Sequence, residues 1–192
     1  MADQMVVGRA ARPSGSRWSG SSTDSARKLS DPAVRVRFRE ERGSRVAYVD
    51  MVHSHVERLL QDEFALCRLE RDADGDYGFR QGSAGYYVRV VDGDPVVVRV
   101  FAIAVVGVKR SAKLLAELNS VNTHLVFGRV FWVAGMVMVE HTLLASSIDR
   151  ETLARAARSV ATVSDEVGPL LAAVFGGVTA FTESERNGAV DC

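Results

Sequence analysis

The amino-acid sequence predicts an α+β domain in which three helices pack on a mainly antiparallel five-stranded sheet. Five segments rich in β-branched and aromatic residues occur in two groups, with tight-turn sequences such as Asp92-Gly93 between strands. Three further segments repeat apolar residues at the three- and four-residue steps of an amphipathic helix. The resulting order is α-β-β-β-α-β-β-α, and strands that follow one another as hairpins pair antiparallel.

The three predicted helices are marked by different end signals. The first is expected over residues 49–63 and the second over 111–121, where Ser111 is a suitable N-cap. The third begins near Asp149 and ends at Gly176-Gly177, a pair typical of a left-handed C-terminal cap. Pro169 lies inside this helix and should kink or break it, because proline lacks the backbone N–H.

The strands follow from runs of alternating or continuous apolar residues between turn sequences. They are expected at 77–81, 84–91, 96–104, 125–133 and 136–144. Residues 34–38 alternate apolar and basic side chains and are compatible with one more short strand, for which no pairing partner is evident.

The first 45 residues differ in composition from the rest of the chain. They contain Ser/Gly-rich runs at 13–16 and 19–22, and their basic residues outnumber their acidic ones. Such a segment has too few apolar residues to offset the entropy of ordering. The sequence therefore predicts a disordered basic tail over 1–45, a folded domain over 46–177 and a flexible tail over 178–192.

The charge balance bears on the class of partner. Lys and Arg together number 24, as do Asp and Glu, and hydrophobic residues make up 47% of the 192 residues, enough for a core. Nucleic acid is not the expected partner, because proteins dedicated to binding it usually carry a basic excess. The basic tail keeps one alternative open, a nucleic-acid-associated protein that binds through residues 1–45.

The sequence also predicts a cytoplasmic location. The N-terminus lacks the apolar core of a signal peptide. The longest apolar run, 96–108, is interrupted by Arg99 and is shorter than the ~18 residues of a membrane span. Two cysteines, Cys67 and Cys192, do not make a disulfide framework. We therefore expect no membrane partner.

Residues suited to catalysis or metal binding are sparse. Asp72, Asp74 and Asp76 have the spacing of the first ligands of a calcium loop, but Tyr77 and Ser83 stand where that loop requires Gly and Glu. The histidines are scattered along the chain, and neither a Gly-x-Ser-x-Gly nor a Walker sequence occurs. The sequence therefore predicts neither a catalytic site nor a metal or other cofactor.

Alternation along the strands gives the most informative pattern. Residues two apart share one face of a sheet, and this places arginine, aromatic and methionine side chains together. Such a mixture is typical of a protein interface. The alternatives are that the face assignment is inverted, or that a helix covers this face, which would make it core. The predicted partner-binding residues are Tyr87, Arg89, Arg99, Phe101, Phe127, Arg129, Phe131, Met136 and Met138.

Two asparagines at the end of the second predicted helix have two interpretations. The amides of Asn119 and Asn122 could hold the backbone of a bound peptide. They could instead cap and terminate the helix, which asparagine favours because it tolerates left-handed backbone and bonds local groups. We favour the cap.

Three short motifs give the chain a resemblance to a known family. They are Asp74-Gly75-Asp76-Tyr77-Gly78-Phe79, Leu118-Asn119-Ser120-Val121-Asn122 and Phe175-Gly176-Gly177. With the order of helices and strands, they make residues 49–177 similar to the YbjN-like family of the type III secretion chaperone-like superfamily. The resemblance implies a non-catalytic domain that binds peptide or protein clients, often as a homodimer. It identifies neither the client nor a set of functional residues.

Overall fold

The computed structural model describes residues 32–64 and 69–181, with side chains described from Gly43 onward within these ranges. A short 3-10 turn, Ala145–Ser147, follows the last strand. The helices and strands in chain order are α1 (Pro32–Phe64), β1 (Tyr77–Gln81), β2 (Ala84–Val91), β3 (Val97–Val106), α2 (Ala112–His124), β4 (Arg129–Val133), β5 (Met136–Leu144) and α3 (Arg150–Phe175).

The five strands form one sheet with the spatial order β1-β2-β3-β5-β4. Every pair of neighbours is antiparallel. The first three strands form a meander, and the β4–β5 hairpin joins it because β5 pairs with β3. The predicted α+β class, the three helices, the five strands and their order are therefore confirmed.

Helices cover one side of this sheet. α3 packs across β1, β2, β3 and β5, whereas α2 packs against β4. α1 adds apolar side chains at four-residue steps, which lie on one side of a helix. Burying each of these side chains completely contributes about 1.5–3 kcal/mol. The core formed in this way includes Val52, Val56, Leu60, Tyr77, Val88, Val98, Val100, Leu114, Leu118, Val137, Val139, Leu153, Ala156 and Val160.

The first helix begins earlier than predicted. It starts at Pro32, so the expected short strand at 34–38 is wrong. Proline suits the first helical turn, and the arginines and glutamates that follow it are good helix formers. The predicted boundary at residue 45 falls inside this helix, and residues 1–31 lie outside the described residues. By its contacts, the chain divides into two compact units, with the boundary between Ser44 and Arg45. The core residues given in the preceding paragraph belong to the second unit.

The last helix is continuous despite its proline. It begins with a capping box in which Asp149 accepts a hydrogen bond from the Thr152 N–H, and it runs through Pro169 to Phe175. The expected break is absent because burial on both sides of the proline holds the helix to the sheet. Gly168 approaches the Ala104 carbonyl closely, and Leu171 is 3% exposed.

The chain after α3 remains attached to the domain. Val178 pairs with Val106 through two backbone hydrogen bonds of 2.9 Å. A side chain on Gly177 would meet the Val106 carbonyl oxygen at 2.4 Å, so this approach requires glycine. We call residues 178–181 the C-terminal strap. The predicted flexible tail was placed from 178, and its residues 182–192 lie outside the described residues.

Candidate functional site

The side of the sheet away from the helices carries most of the residues for which the sequence predicts an interface. Cross-strand neighbours there are Tyr87 with Phe101, Arg89 with Arg99, and Phe101 with Glu140. Arg129 also lies beside Glu140, and Phe131 beside Met138. The core residues that pack with the described helices, such as Val98, Val100 and Val139, lie on the other side of the sheet, which favours the predicted face over its alternatives. We call the side away from the helices the arginine face; its members are Tyr87, Arg89, Arg99, Phe101, Ile103, Arg129, Phe131, Met136, Met138 and Glu140.

Phe127 is the one predicted site residue that does not lie on the arginine face. β4 begins at Arg129 rather than Leu125, because Gly128 adopts a φ of +88° and interrupts the extended chain. The Phe127 ring stacks on His141, with 5.8 Å between the ring centroids. His141 pairs with Val100, which belongs to the helix-covered side.

A buried carboxylate holds the first arginine of the face in place. Asp76 is 4% exposed, and both of its oxygens accept hydrogen bonds from the Arg89 guanidinium. This bond raises the pKa of Arg89. Asp72 Oδ1 in turn accepts hydrogen bonds from the backbone N–H groups of Asp74 and Asp76, with N–O distances of 2.9 Å. The three aspartates thus build a turn and an arginine anchor, and the described residues contain no cluster suited to a metal ion.

A second buried carboxylate holds the other two arginines. Glu140 is 3% exposed and accepts hydrogen bonds from Arg99 at 2.5 Å, Arg129 at 3.1 Å and the Thr142 hydroxyl at 3.1 Å. Burial by itself would raise the pKa of Glu140. The hydrogen bonds and positive charges of Arg99 and Arg129 outweigh burial, so this pKa lies below its ordinary value.

Phe101 lies beneath the arginines rather than at the surface. It is 9% exposed, and its ring stacks on Tyr87 with 5.4 Å between centroids. The guanidinium carbons of Arg89 and Arg99 lie 5.5 and 5.8 Å from the ring centroid. Phe101 therefore supports the arginines from below and is not an accessible contact residue.

The accessible apolar part of the face lies on β4 and β5. Phe131, Met136 and Met138 are half-buried, and the Arg129 guanidinium carbon is 4.8 Å from the Phe131 ring centroid. Val133 and Leu144, 40% and 51% exposed, extend this surface. Sequence reasoning left Leu144 out, although alternation along β5 places it on the side of Met136 and Met138.

Asn122 protects the outer edge of the sheet next to this surface. Its amide nitrogen donates to the Val130 carbonyl at 2.8 Å, and its amide oxygen accepts from the Val130 N–H at 2.7 Å. β4 is the last strand of the sheet, where unpaired backbone groups invite another strand. Asn122 does hold a peptide backbone, but the backbone belongs to this chain.

Two surface recesses are also formed by described residues. One of about 470 Å³ lies at the β1–β2 corner, where Gly78, Gly85 and Tyr87 line it together with Phe181. The other, of about 580 Å³, lies along α1 and is lined by Tyr48, Met51, Val52, Ser54, His55, Arg58, Ala145, Ser146 and Ile148. In the described part of the chain, no helix is long and apolar enough to cross a membrane.

The fold is a sheet covered by helices on one side, and the uncovered side has the composition of a protein interface. A family model, TY-Chap1, described as T3SS (YopN, CesT) and YbjN peptide-binding chaperone 1, matches residues 50–183. The chain belongs to this family, and the sequence-based assignment to YbjN-like and type III secretion chaperone-like proteins is confirmed. No curated protein matches the chain.

Several solved structures are similar in fold. A chain of the ExsC–ExsE complex is 20% identical, with 62% of this chain and 94% of that chain covered and a TM-score of 0.49. A chain from the complex of the Yersinia pestis type III secretion chaperone SycH with a YscM2 fragment is 13% identical, with 58% and 96% covered and a TM-score of 0.46. YbjN from E. coli is 16% identical, with 59% and 89% covered and a TM-score of 0.41.

Proposed function

We propose that the chain is a non-catalytic, cytoplasmic chaperone that holds extended segments of client proteins on its arginine face. The observation that carries this proposal is the pairing of half-buried Phe131, Met136 and Met138 with arginines that are already held by ion pairs to buried carboxylates. An apolar surface of this kind is energetically costly to leave in water and rarely lacks a partner.

The held arginines favour binding for a physical reason. Arg89 and Arg99 are fixed before a client arrives, so fewer side-chain rotamers are lost on association. Three guanidinium groups face two carboxylates, Asp76 and Glu140, and Arg129 is 65% exposed. We therefore expect clients to be apolar segments, with a preference for an acidic residue near Arg129.

The test compares two phenylalanines. Peptides are selected on the wild-type chain from a random-sequence library, and their affinities are then measured for Phe131→Asp and Phe127→Asp variants. Phe131 lies on the arginine face, whereas Phe127 is an exposed phenylalanine away from it. We expect Phe131→Asp to weaken binding at least about tenfold, the loss that follows from removing about 1.4 kcal/mol of apolar contact.

Phe127→Asp should leave these affinities unchanged. Circular dichroism and thermal unfolding of both variants establish that the fold is retained. Equal affinities for the wild type and the Phe131→Asp variant would refute the use of this face.

Self-association is the second part of the proposal. A homodimer would bury part of the same apolar surface on each copy, so it would compete with client binding. Light scattering at increasing protein concentration measures it directly. We expect a dimer for the wild type and a monomer for the Phe131→Asp variant; a monomer for both would leave client binding as the role of the surface.

A further inference from the structure

The C-terminal strap brings an aromatic ring onto the side of the sheet that carries the arginine face. After α3 the strap pairs with Val106, and the Phe181 N–H then bonds the Ser83 carbonyl at 3.3 Å. The Phe181 ring lies over Arg80, with 4.1 Å from the guanidinium carbon to the ring centroid. Arg80 pairs with Gly85, on the same side of the sheet as Tyr87. The chain thus crosses from the helix-covered side to the arginine face.

The recess that receives this ring is built around a glycine. A Cβ atom on Gly85 would lie 3.3 Å from Cε2 of Phe181 and 3.7 Å from the Tyr87 hydroxyl. Glycine inside a strand often marks a place where another group approaches closely. Arg80 supplies a cation over the ring, which is a favourable contact for an aromatic side chain. The recess is therefore suited to an aromatic residue.

The strap is held less firmly than the core. Backbone hydrogen bonds join it to Val106 and Ser83, while Val178 and Ala180 are exposed and Phe181 is half-buried. Segments with few buried apolar contacts and exposed hydrogen bonds open at low free-energy cost. The strap can therefore leave the sheet without unfolding the core.

We propose that this recess is an aromatic-anchor subsite of the client-binding surface, filled by Phe181 in the free chain and by an aromatic residue of the client in the complex. Among the described residues, the Phe181 ring occupies this recess, and the chain is held there by the Phe181 N–H bond to the Ser83 carbonyl. The recess therefore accommodates a phenylalanine side chain in the free chain. The identity of the competing segment as a client rests on the proposed function.

Because a client must displace the Phe181 side chain, Phe181 competes with the client for the subsite. A segment attached to the same chain has a high effective concentration at its own site. The apparent affinity for a client is reduced by the fraction of molecules whose subsite is occupied. Removing the Phe181 side chain should therefore raise affinity for any ligand that uses the subsite.

The experiment uses the strap as its own probe. A fluorescent peptide copying residues 176–186 is titrated against the full-length wild type and the full-length Phe181→Ala variant, and anisotropy is measured. We expect the variant to bind at least about tenfold more tightly, because the internal competitor is gone. A peptide in which the same phenylalanine is replaced by alanine should not bind.

Three further variants keep the result interpretable. Adding Gly85→Val to Phe181→Ala should abolish peptide binding, because the new side chain fills the recess. Phe181→Leu, which retains apolar packing but removes the aromatic ring, should raise the affinity for the strap peptide less than Phe181→Ala does. Leu170→Ala alters an exposed apolar residue of α3, 67% exposed, and should change nothing. Thermal unfolding reports the fold of each variant.

Equal binding by the wild type and Phe181→Ala would overturn the inference, as would binding that persists in the Gly85→Val double variant. A lower unfolding temperature for Phe181→Ala with no gain in binding would also overturn it, since Phe181 would then act on stability alone. These outcomes are separate from the Phe131→Asp test. If the library peptides bind the Phe131→Asp variant as tightly as the wild type, the proposed function is refuted, even where the strap peptide binds as expected.

Discussion

The two sides of the sheet are built from alternate residues of the same strands, yet they are covered in different ways. On β3, Val98 and Val100 are fully buried under helices, while Arg99 and Phe101 between them point to the other side. The helix-covered side is made of valines and other apolar residues packed by α1, α2 and α3. The arginine face is covered by its own arginines, which are held by Asp76 and Glu140.

The comparison shows how apolar side chains can be kept on a side of the sheet that the helices do not cover. A covered side gains stability from excluding water, so charge there would be costly. On the arginine face, the guanidinium groups of Arg89 and Arg99 lie over Phe101, and ion pairs with Asp76 and Glu140 offset the cost of partly burying their charge. The first side therefore holds the fold, and the second is the side on which we propose that clients bind.

A substitution on the helix-covered side should lower the free energy of unfolding far more than one on the arginine face. Leu153→Ala on α3 removes a side chain that is 2% exposed and should lower the free energy of unfolding by about 3 kcal/mol. Met138→Ala on the arginine face should cost less than about 1 kcal/mol, because its side chain is already partly in water. Urea unfolding measures both. A cost for Met138→Ala as large as that for Leu153→Ala would mean that the two sides are equally part of the core.

The next effect concerns the carboxylate under the arginines. Glu140→Gln should lower the free energy of unfolding by about 2 kcal/mol, because it removes a buried charge that accepts from Arg99 and Arg129. Arg129→Gln is the control and should cost less than about 1 kcal/mol, since Arg129 is 65% exposed. Equal losses for the two variants would show that the buried position of Glu140 has no special role.

A smaller effect is expected at the edge of the sheet. Asn122→Ala removes both hydrogen bonds to Val130 and should lower the free energy of unfolding by about 1 kcal/mol. It should also make the β4 edge more prone to pairing with another chain. Unfolding in urea gives the first quantity, and light scattering over time gives the second. Asn119→Ala, at an exposed position one turn earlier, should change neither.

The smallest effect is a pH dependence from the helix-covered side. Burial lowers the pKa of His141 below its ordinary value of 6.5. The unfolded chain then binds more protons than the folded one, so stability falls as pH drops through the ordinary pKa. His141→Gln should reduce the stability lost between about pH 7.5 and about pH 5.5. An unchanged slope would show that His141 does not titrate differently on unfolding.

Glu140 acts at lower pH and in the same direction. Its pKa is held below the ordinary value, so it stabilises the fold above that ordinary value. This contribution disappears as pH falls through the lowered pKa of the folded state. On lowering the pH, the loss due to Glu140 therefore begins at a lower pH than the loss due to His141.

Local patterns in the sequence were sufficient to predict the sheet and most of the residues that share the arginine face. Alternation depends on strand geometry alone, and it placed Arg89, Arg99, Arg129 and Phe131 correctly. The same alternation misplaced Phe127, because Gly128 turns the chain just before β4 begins. A glycine within an expected strand was the available signal.

Contacts between distant segments could not be predicted in this way. Asp76 meets Arg89, and Arg99 meets Glu140, only because of strand registers that no short pattern encodes. The strap was assigned to a flexible tail because residues 178–192 are largely polar and carry no periodic signal. Its attachment depends on Val106 and Arg80, far away in the sequence.

Client binding to the arginine face can be followed directly at the methionine side chains. The chain has five methionines; Met136 and Met138 lie on the arginine face, and Met51 lines the recess along α1. The measurement is the NMR shift of 13C-labelled methionine methyl groups on addition of a library-selected peptide. We expect the Met136 and Met138 signals to move while the Met51 signal stays in place. Movement of the Met51 signal alone would place the client on α1 and contradict client binding to the arginine face.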